Sequence, residues 1–199
     1  MSASWEAPTL TGKHVRLVPL EAAHADALGT AAADGELWAL PFTSVPAPGA
    51  ERAYIDAALA ARDAGESMPF AVLDATGSVI GSTRFYEIDR SVPTLHIGYT
   101  WYAKRAQRTA VNSEAKWLLL DHAFRVLHCE SVCFETSHLN TRSQAAIERL
   151  GARRDGILRA HMRHRDGSLR DTWRYSIVRA EWPAVERALL ERLAAGAIA

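Results

Sequence analysis

Apolar positions change their period several times along the chain, and these changes lay out the elements. In 14–20, Val15, Leu17 and Leu20 alternate lightly with polar neighbours, which predicts a strand; Pro19 should end its ladder. Residues 21–33 are Ala-rich, with Ala22, Ala25, Leu28 and Ala32 on one side, and predict a helix. The cluster Leu37, Trp38, Leu40 and Phe42 then leads to a Pro-rich loop, 41–49, expected to be exposed and to line a pocket. A second helix follows over 51–64, with Tyr54, Ile55, Ala58 and Leu59 facing in and Gly65 as its stop. Three strands come next, at 69–73, 79–87 and 94–101, joined by turns at 74–77 and 89–93. They read as an antiparallel meander.

The second half has a different rhythm. Residues 110–126 predict a helix with Ala115, Leu118, Leu119, His122 and Ala123 as its buried stripe. A strand at 131–136 precedes a helix at 141–150, which Gly151 should end in a left-handed cap. A strand pair, 152–164 and 169–179, turns at Arg165-Asp166-Gly167-Ser168, and a last helix spans 181–195 with Pro183 in its first turn. The strands on either side of helix 110–126 are joined by a crossover and should run parallel. The others are hairpin-linked. The fold class expected is therefore α/β: a mixed, mostly antiparallel sheet flanked by helices on both faces.

Composition adds limits. With 199 residues and 48% apolar character, the chain is expected to form a single domain, its core over about 10–180 and a terminal helix over 181–195. Acidic and basic residues number 23 each, which argues against a broad electrostatic grip on nucleic acid or an anionic membrane. Segment 149–174 still carries eight arginines against three aspartates, so a local basic face is expected, with Asp171 placed to lock Arg163 or Arg170 across the strands. The two cysteines, Cys129 and Cys133, have no His or Cys partner at zinc spacing; no metal is expected and a reducing compartment fits. Residues 1–9 lack the apolar stretch of a signal peptide, and no apolar run reaches membrane-spanning length. A soluble, cytoplasmic protein is the expectation.

The densest chemical signal lies at 95–120. A strand, a basic crossover of Lys104, Arg105, Gln107 and Arg108, and a long helix meet there. Such a junction aims free N–H groups and a positive helix end at one spot, which suits a phosphate. A Ser–His–Asp hydrolase finds no support, since no Gly-x-Ser-x-Gly elbow occurs.

Element order and four local runs resemble the GCN5-related N-acetyltransferase (GNAT) superfamily, and within it the ribosomal-protein N-terminal acetyltransferase branch, RimJ/RimL-like. The runs are Leu10-Thr11-Gly12-Lys13-His14-Val15-Arg16-Leu17, His96-Ile97-Gly98-Tyr99, Asn112-Ser113-Glu114-Ala115-Lys116, and His138-Leu139-Asn140-Thr141-Arg142-Ser143 through Ile147-Glu148-Arg149-Leu150-Gly151-Ala152. The closing run Gly156-Ile157-Leu158-Arg159-Ala160-His161-Met162 with Arg170-Asp171-Thr172 also fits. The resemblance implies central parallel strands that splay, acetyl-CoA as cosubstrate, no metal, and direct acetyl transfer to a primary amine. A peptide or protein N-terminal α-amine is the first acceptor; a small-molecule amine, polyamine or antibiotic-like, is the alternative. The family's cofactor loop maps onto Arg105, Ala106, Gln107, Arg108, Thr109 and Ala110, with Arg108 where the first glycine belongs. That exchange keeps a rival open: a non-catalytic module that has lost the cofactor and binds peptide or nucleic acid.

The same resemblance assigns roles. The arm of the cofactor would lie along Tyr99, Thr100 and Trp101, with a backbone N–H near Tyr99 or Thr100 as oxyanion donor. Glu87 is the first candidate for the base. His96 is the second, but strand alternation is expected to turn it away from Tyr99. Asn140 resembles the residue that holds the pantetheine amide, and it also sits where it can cap the following helix. Ser143 resembles the residue that faces the cofactor sulfur and could protonate the thiolate. Trp38, Phe42 and Phe85, with Glu87, are the candidates for the acceptor's surroundings. Val185, Leu189, Leu190 and Leu193 could pack on their own sheet or in a homodimer.

Overall fold

The computed structural model describes residues 5–196. Its strands are β1 (Leu10–Thr11), β2 (Val15–Pro19), β3 (Ser67–Asp74), β4 (Val79–Asp89), β5 (Thr94–Tyr102), β6 (Ser131–Ser137), β7 (Arg153–Arg163) and β8 (Leu169–Val178). The helices are α1 (Ala25–Ala33), α2 (Glu51–Asp63), α3 (Ala110–Asp121), α4 (Thr141–Leu150) and α5 (Trp182–Ala194). The strands form one eight-stranded sheet in the order β1-β2-β3-β4-β5-β6-β8-β7. Among the described residues only β5 and β6 pair in parallel; every other neighbour is antiparallel. This is the mixed, helix-flanked sheet that the patterning predicts.

Alternation along the strands sends side chains into two cores. On one face Phe85, Ile97, Phe134 and Tyr175 pack with Leu119, Ile147 and Leu189, residues of α3, α4 and α5. On the other, Ala71, Leu73 and Trp101 pack with Leu28 of α1 and Ile55 and Ala58 of α2. That second core includes no residue of β6.

Three local expectations change. Residues 21–33 divide into a 3-10 turn, Ala22–His24, and α1, with the Glu21 N–H donating to His24 Nδ1 at 3.0 Å. Pro19 does end β2, its pair with Phe70 being the last of the ladder. The next N–H, of Leu20, points at Pro69 on β3 (3.0 Å), so the Pro19 nitrogen faces the edge that short β1 leaves uncovered. Helix 110–126 is α-helical only to Asp121 and then widens into a π-turn over His122–Val126. Asp171 locks no arginine: its carboxylate accepts the Ala160 N–H at 2.7 Å, which holds a bulge in β7.

Two features position the functional region. β5 and β6 pair only at Thr94–Ser131, Leu95–Val132 and His96–Cys133. Past His96 the strands part, while β6 stays paired with β8 along its whole length. Helix α3, which starts beyond the open end, is tied to the β1–β2 turn by buried Glu114. The carboxylate of Glu114 accepts N–H bonds from Lys13, His14 and Val15 at 2.8, 2.6 and 2.9 Å. Gly12 makes room for it, since a Cβ there would meet that carboxylate at 2.4 Å.

Candidate functional site

The parting of β5 from β6 coincides with a bulge. Arg84 pairs with Gly98 and Ser82 with Trp101, so Tyr99 and Thr100 together oppose Thr83 alone. Tyr99 takes the left-handed conformation, φ +51°. The extra residue resets the alternation and brings Tyr99 to the same face as His96. Tyr86 lies edge-on to both rings, 5.1 Å from His96 and 5.2 Å from Tyr99. The parity expectation is thereby corrected. Gly98 is required here, because a Cβ would sit 2.6 Å from the Tyr86 ring. Thr100 bonds instead with Thr83 (2.8 Å) and accepts from buried Lys116 of α3 (2.7 Å).

Glu87 and His96 come together at this place. Their Oε2 and Nε2 lie 3.3 Å apart, with the His96 side chain buried and Glu87 exposed. Burial pushes the His96 pKa down, opposed by the Glu87 charge, so the imidazole is held toward its neutral form. Its Nδ1 is buried with no partner among the described residues. With its proton on Nε2 the imidazole faces the Glu87 carboxylate, which is itself exposed to solvent.

At the start of α3, Arg108 has φ +59° and is exposed. Its backbone thus takes the conformation that a glycine would take freely, and the loop keeps its shape despite the side chain. Arg105 is held by Asp34 through its backbone N (3.0 Å) and guanidinium (3.4 Å). Gln107 donates to Tyr102 O at 2.8 Å, and Ala106 is buried. Thr109 caps the helix by accepting from Val111 N at 3.3 Å, and Ala110 is the first helical residue. Of the basic loop's arginines, Arg108 is the one without an ion pair among the described residues.

At the end of β6, Asn140 caps α4 by accepting the Ser143 N–H at 3.0 Å, the second of its two expected roles. Ser143 is half-buried in the first turn of α4. Ser137, the last residue of β6, is buried and bonds His164 Nε2 at 2.8 Å; His164 Nδ1 meets Ser168, which donates to Asp166. Next to this relay, Arg165 donates to the carbonyls of Trp38 (3.2 Å) and Val45 (2.9 Å). Loop 41–49 is accordingly pinned to the β7–β8 turn, and Val45 and Pro46 are buried rather than exposed.

A cavity of about 390 Å³ opens on the Glu87 face, lined by Ala61, Gly65, Glu66, Ser67, Arg84, Tyr86, Glu87, Ile88 and Tyr99. Of the residues expected around the acceptor, it contains Glu87. Trp38 and Phe42 are half-buried beyond its lining. Phe85 points to the opposite face, fully buried against Phe70 and His122, so it cannot wall this site. Trp101 is likewise buried, its Nε1 donating to Tyr54 Oη at 3.3 Å, so only its backbone can border the gap. Cys129 and Cys133 are free thiols whose pKa values are raised by burial, that of Cys129 to about 12, which makes both poor nucleophiles. Among the described residues no group of three His, Cys, Asp or Glu converges on a metal position, and no helix is long and apolar enough to cross a membrane.

Sequence reasoning missed Arg84, Tyr86, Glu66 and Lys116. Arg84 had a signal: it is the one charged residue within the run Val79 to Tyr86. Lys116 gave none, since a lysine in a helix is ordinarily solvated.

Comparison with known proteins agrees with this geometry. The profile of the Acetyltransferase (GNAT) domain matches residues 14–153. A GCN5-related N-acetyltransferase from Brucella melitensis is 32% identical, with 96% of this chain and 90% of that one covered and a TM-score of 0.83. Mycobacterium smegmatis RimJ, solved in complex with a CoA-disulfide, is 22% identical over 98% of each chain, TM-score 0.78. RimL, a ribosomal L7/L12 alpha-N-protein acetyltransferase solved with coenzyme A, is 15% identical over 85% of this chain and 97% of its own, TM-score 0.73. No curated protein sequence gives a significant match. The chain belongs to the GNAT acetyltransferase family, whose members are acetyl-CoA-dependent enzymes.

Proposed function

We propose that the chain acetylates a primary amine, with a peptide or protein N-terminal α-amine as the first acceptor. The observation that carries this reading is the Glu87–His96 pair, set beside the bulge where β5 and β6 part and opening onto the 390 Å³ cavity. The activity of RimL as a ribosomal L7/L12 alpha-N-protein acetyltransferase supports the choice of acceptor.

The residues present fit acetyl-CoA, which supplies the acetyl group as a thioester. The first-turn N–H groups of α3 and the unpaired Arg108 suit its phosphates. Free backbone edges of β5 after His96 and of β6 after Cys133 suit its amide-bearing arm. The glycine-like backbone at Arg108 speaks against a degenerate loop. Glu87 takes the proton of the incoming ammonium, and His96 keeps the carboxylate oriented. Backbone N–H groups of Tyr99 or Thr100 polarise the carbonyl. Ser143, at the first turn of α4, is the candidate proton donor to the departing sulfur.

The test is thiol release from acetyl-CoA with a panel of peptides and small amines. Glu87→Gln should lower kcat by roughly 10²- to 10⁴-fold while the KM for acetyl-CoA moves less than about twofold. An unchanged kcat would remove Glu87 from the role.

A further inference from the structure

Arg84 has a strange address. It is 7% exposed, and its Nε is fully buried without a hydrogen-bond acceptor among the described residues. No carboxylate pairs with it, although eight arginine–carboxylate pairs form elsewhere among those residues. Its guanidinium instead lies against two rings, with Cζ 4.0 Å from the Tyr99 centroid and 5.2 Å from that of Tyr54. Tyr54 is fixed in turn by Ser82 and Trp101, each at 3.3 Å. A buried cation is ordinarily paired, because desolvation without a partner is costly. Here the guanidinium borders the acceptor cavity.

The cavity carries charges of both signs: Arg84 lines it together with Glu66 and Glu87, both of them exposed. Arg84 and Tyr86 are two residues apart on one strand face, a separation of roughly 7 Å. A ligand complementary to this surface holds an ammonium toward Glu87 and an anion toward Arg84 within a few bonds. We infer that the acceptor is a primary amine that also carries a carboxylate, which Arg84 receives beside the Tyr99 ring. This deepens the reading above and rests on it. Two sources share the chemistry: a free amino acid, and a peptide whose first residue is Asp or Glu.

The experiment uses the full chain and matched acceptors: Asp-Ala-Ala amide against Asn-Ala-Ala amide, and free aspartate against aspartic acid diamide. Thiol release should give kcat/KM at least tenfold higher for each carboxylate-bearing member, and the larger ratio identifies the source. Arg84→Gln should raise KM for the carboxylate acceptors tenfold or more and leave the amides within about threefold; Arg84→Lys should recover part of the loss. Calorimetric titration of the protein with Asp-Ala-Ala amide supplies a readout without turnover, and binding should vanish in Arg84→Gln. Should that variant not fold, the matched ratios in the unaltered chain decide alone. Equal kcat/KM within each pair overturns the inference and leaves the acetyltransferase reading intact. Acetyl-CoA binding with no amine acetylated overturns the acceptor reading, and the inference with it.

Discussion

Arg108 carries the residue-scale lesson. Its place in the loop is visible in the sequence, but its effect is not, because a substitution for glycine could either close the loop or be absorbed. The structure shows the second outcome: the backbone keeps φ +59° and the side chain points outward. A non-glycine residue held there costs on the order of 1 kcal/mol. Arg108→Gly should therefore raise the urea-unfolding free energy by about 0.5–1 kcal/mol and weaken coenzyme A binding several-fold in a calorimetric titration. A variant that binds as tightly as the original would show that the guanidinium does not touch the phosphates. Glu87 and His96 show the other side of legibility. Both were named from the sequence, yet their contact depends on the irregularity of β4 between Tyr86 and Asp89, where Glu87 has φ +48°, and no period-two reading anticipates it.

Among the elements, the long strands and helices were legible because their periods are clean. What escaped was α3's interior, where Glu114 and Lys116 break the apolar stripe and are nonetheless buried. Glu114 earns its burial through three backbone N–H bonds from the far side of the sheet, a partnership invisible in local sequence. Lys116 has a single hydroxyl, and burial depresses its pKa to about 7 from an ordinary 10.5. The unfolded chain thus binds more protons than the folded one between those values, so stability rises with pH across about 7 to 10.5. The slope from this one group approaches 1.4 kcal/mol per pH unit at most. Urea unfolding at pH 7 and pH 9 should show the rise in the natural chain and its loss in Lys116→Met. Equal slopes in the two proteins would mean that water reaches the ammonium.

For the whole molecule, topology followed from the crossover and hairpin signals, while the meeting of distant segments did not. The β7–β8 turn and loop 41–49 are separated by more than a hundred positions, and Arg165 joins them through the Trp38 and Val45 carbonyls. Arg165→Ala should speed amide hydrogen exchange across 37–46 while leaving β3 and β4 as protected as before. Exchange unchanged in that loop would show that its own packing, at buried Val45 and Pro46, suffices.

The three-pair seam between β5 and β6 has a reach beyond chemistry. Two sheet halves knitted so sparingly leave backbone groups for a cosubstrate to satisfy, and any ligand that favours the native state shifts the folding equilibrium by mass action. At a hundred times its dissociation constant the gain is about 2.7 kcal/mol. Coenzyme A added in excess should accordingly raise the midpoint of thermal unfolding, and a midpoint that does not move would show that the open seam binds none of it.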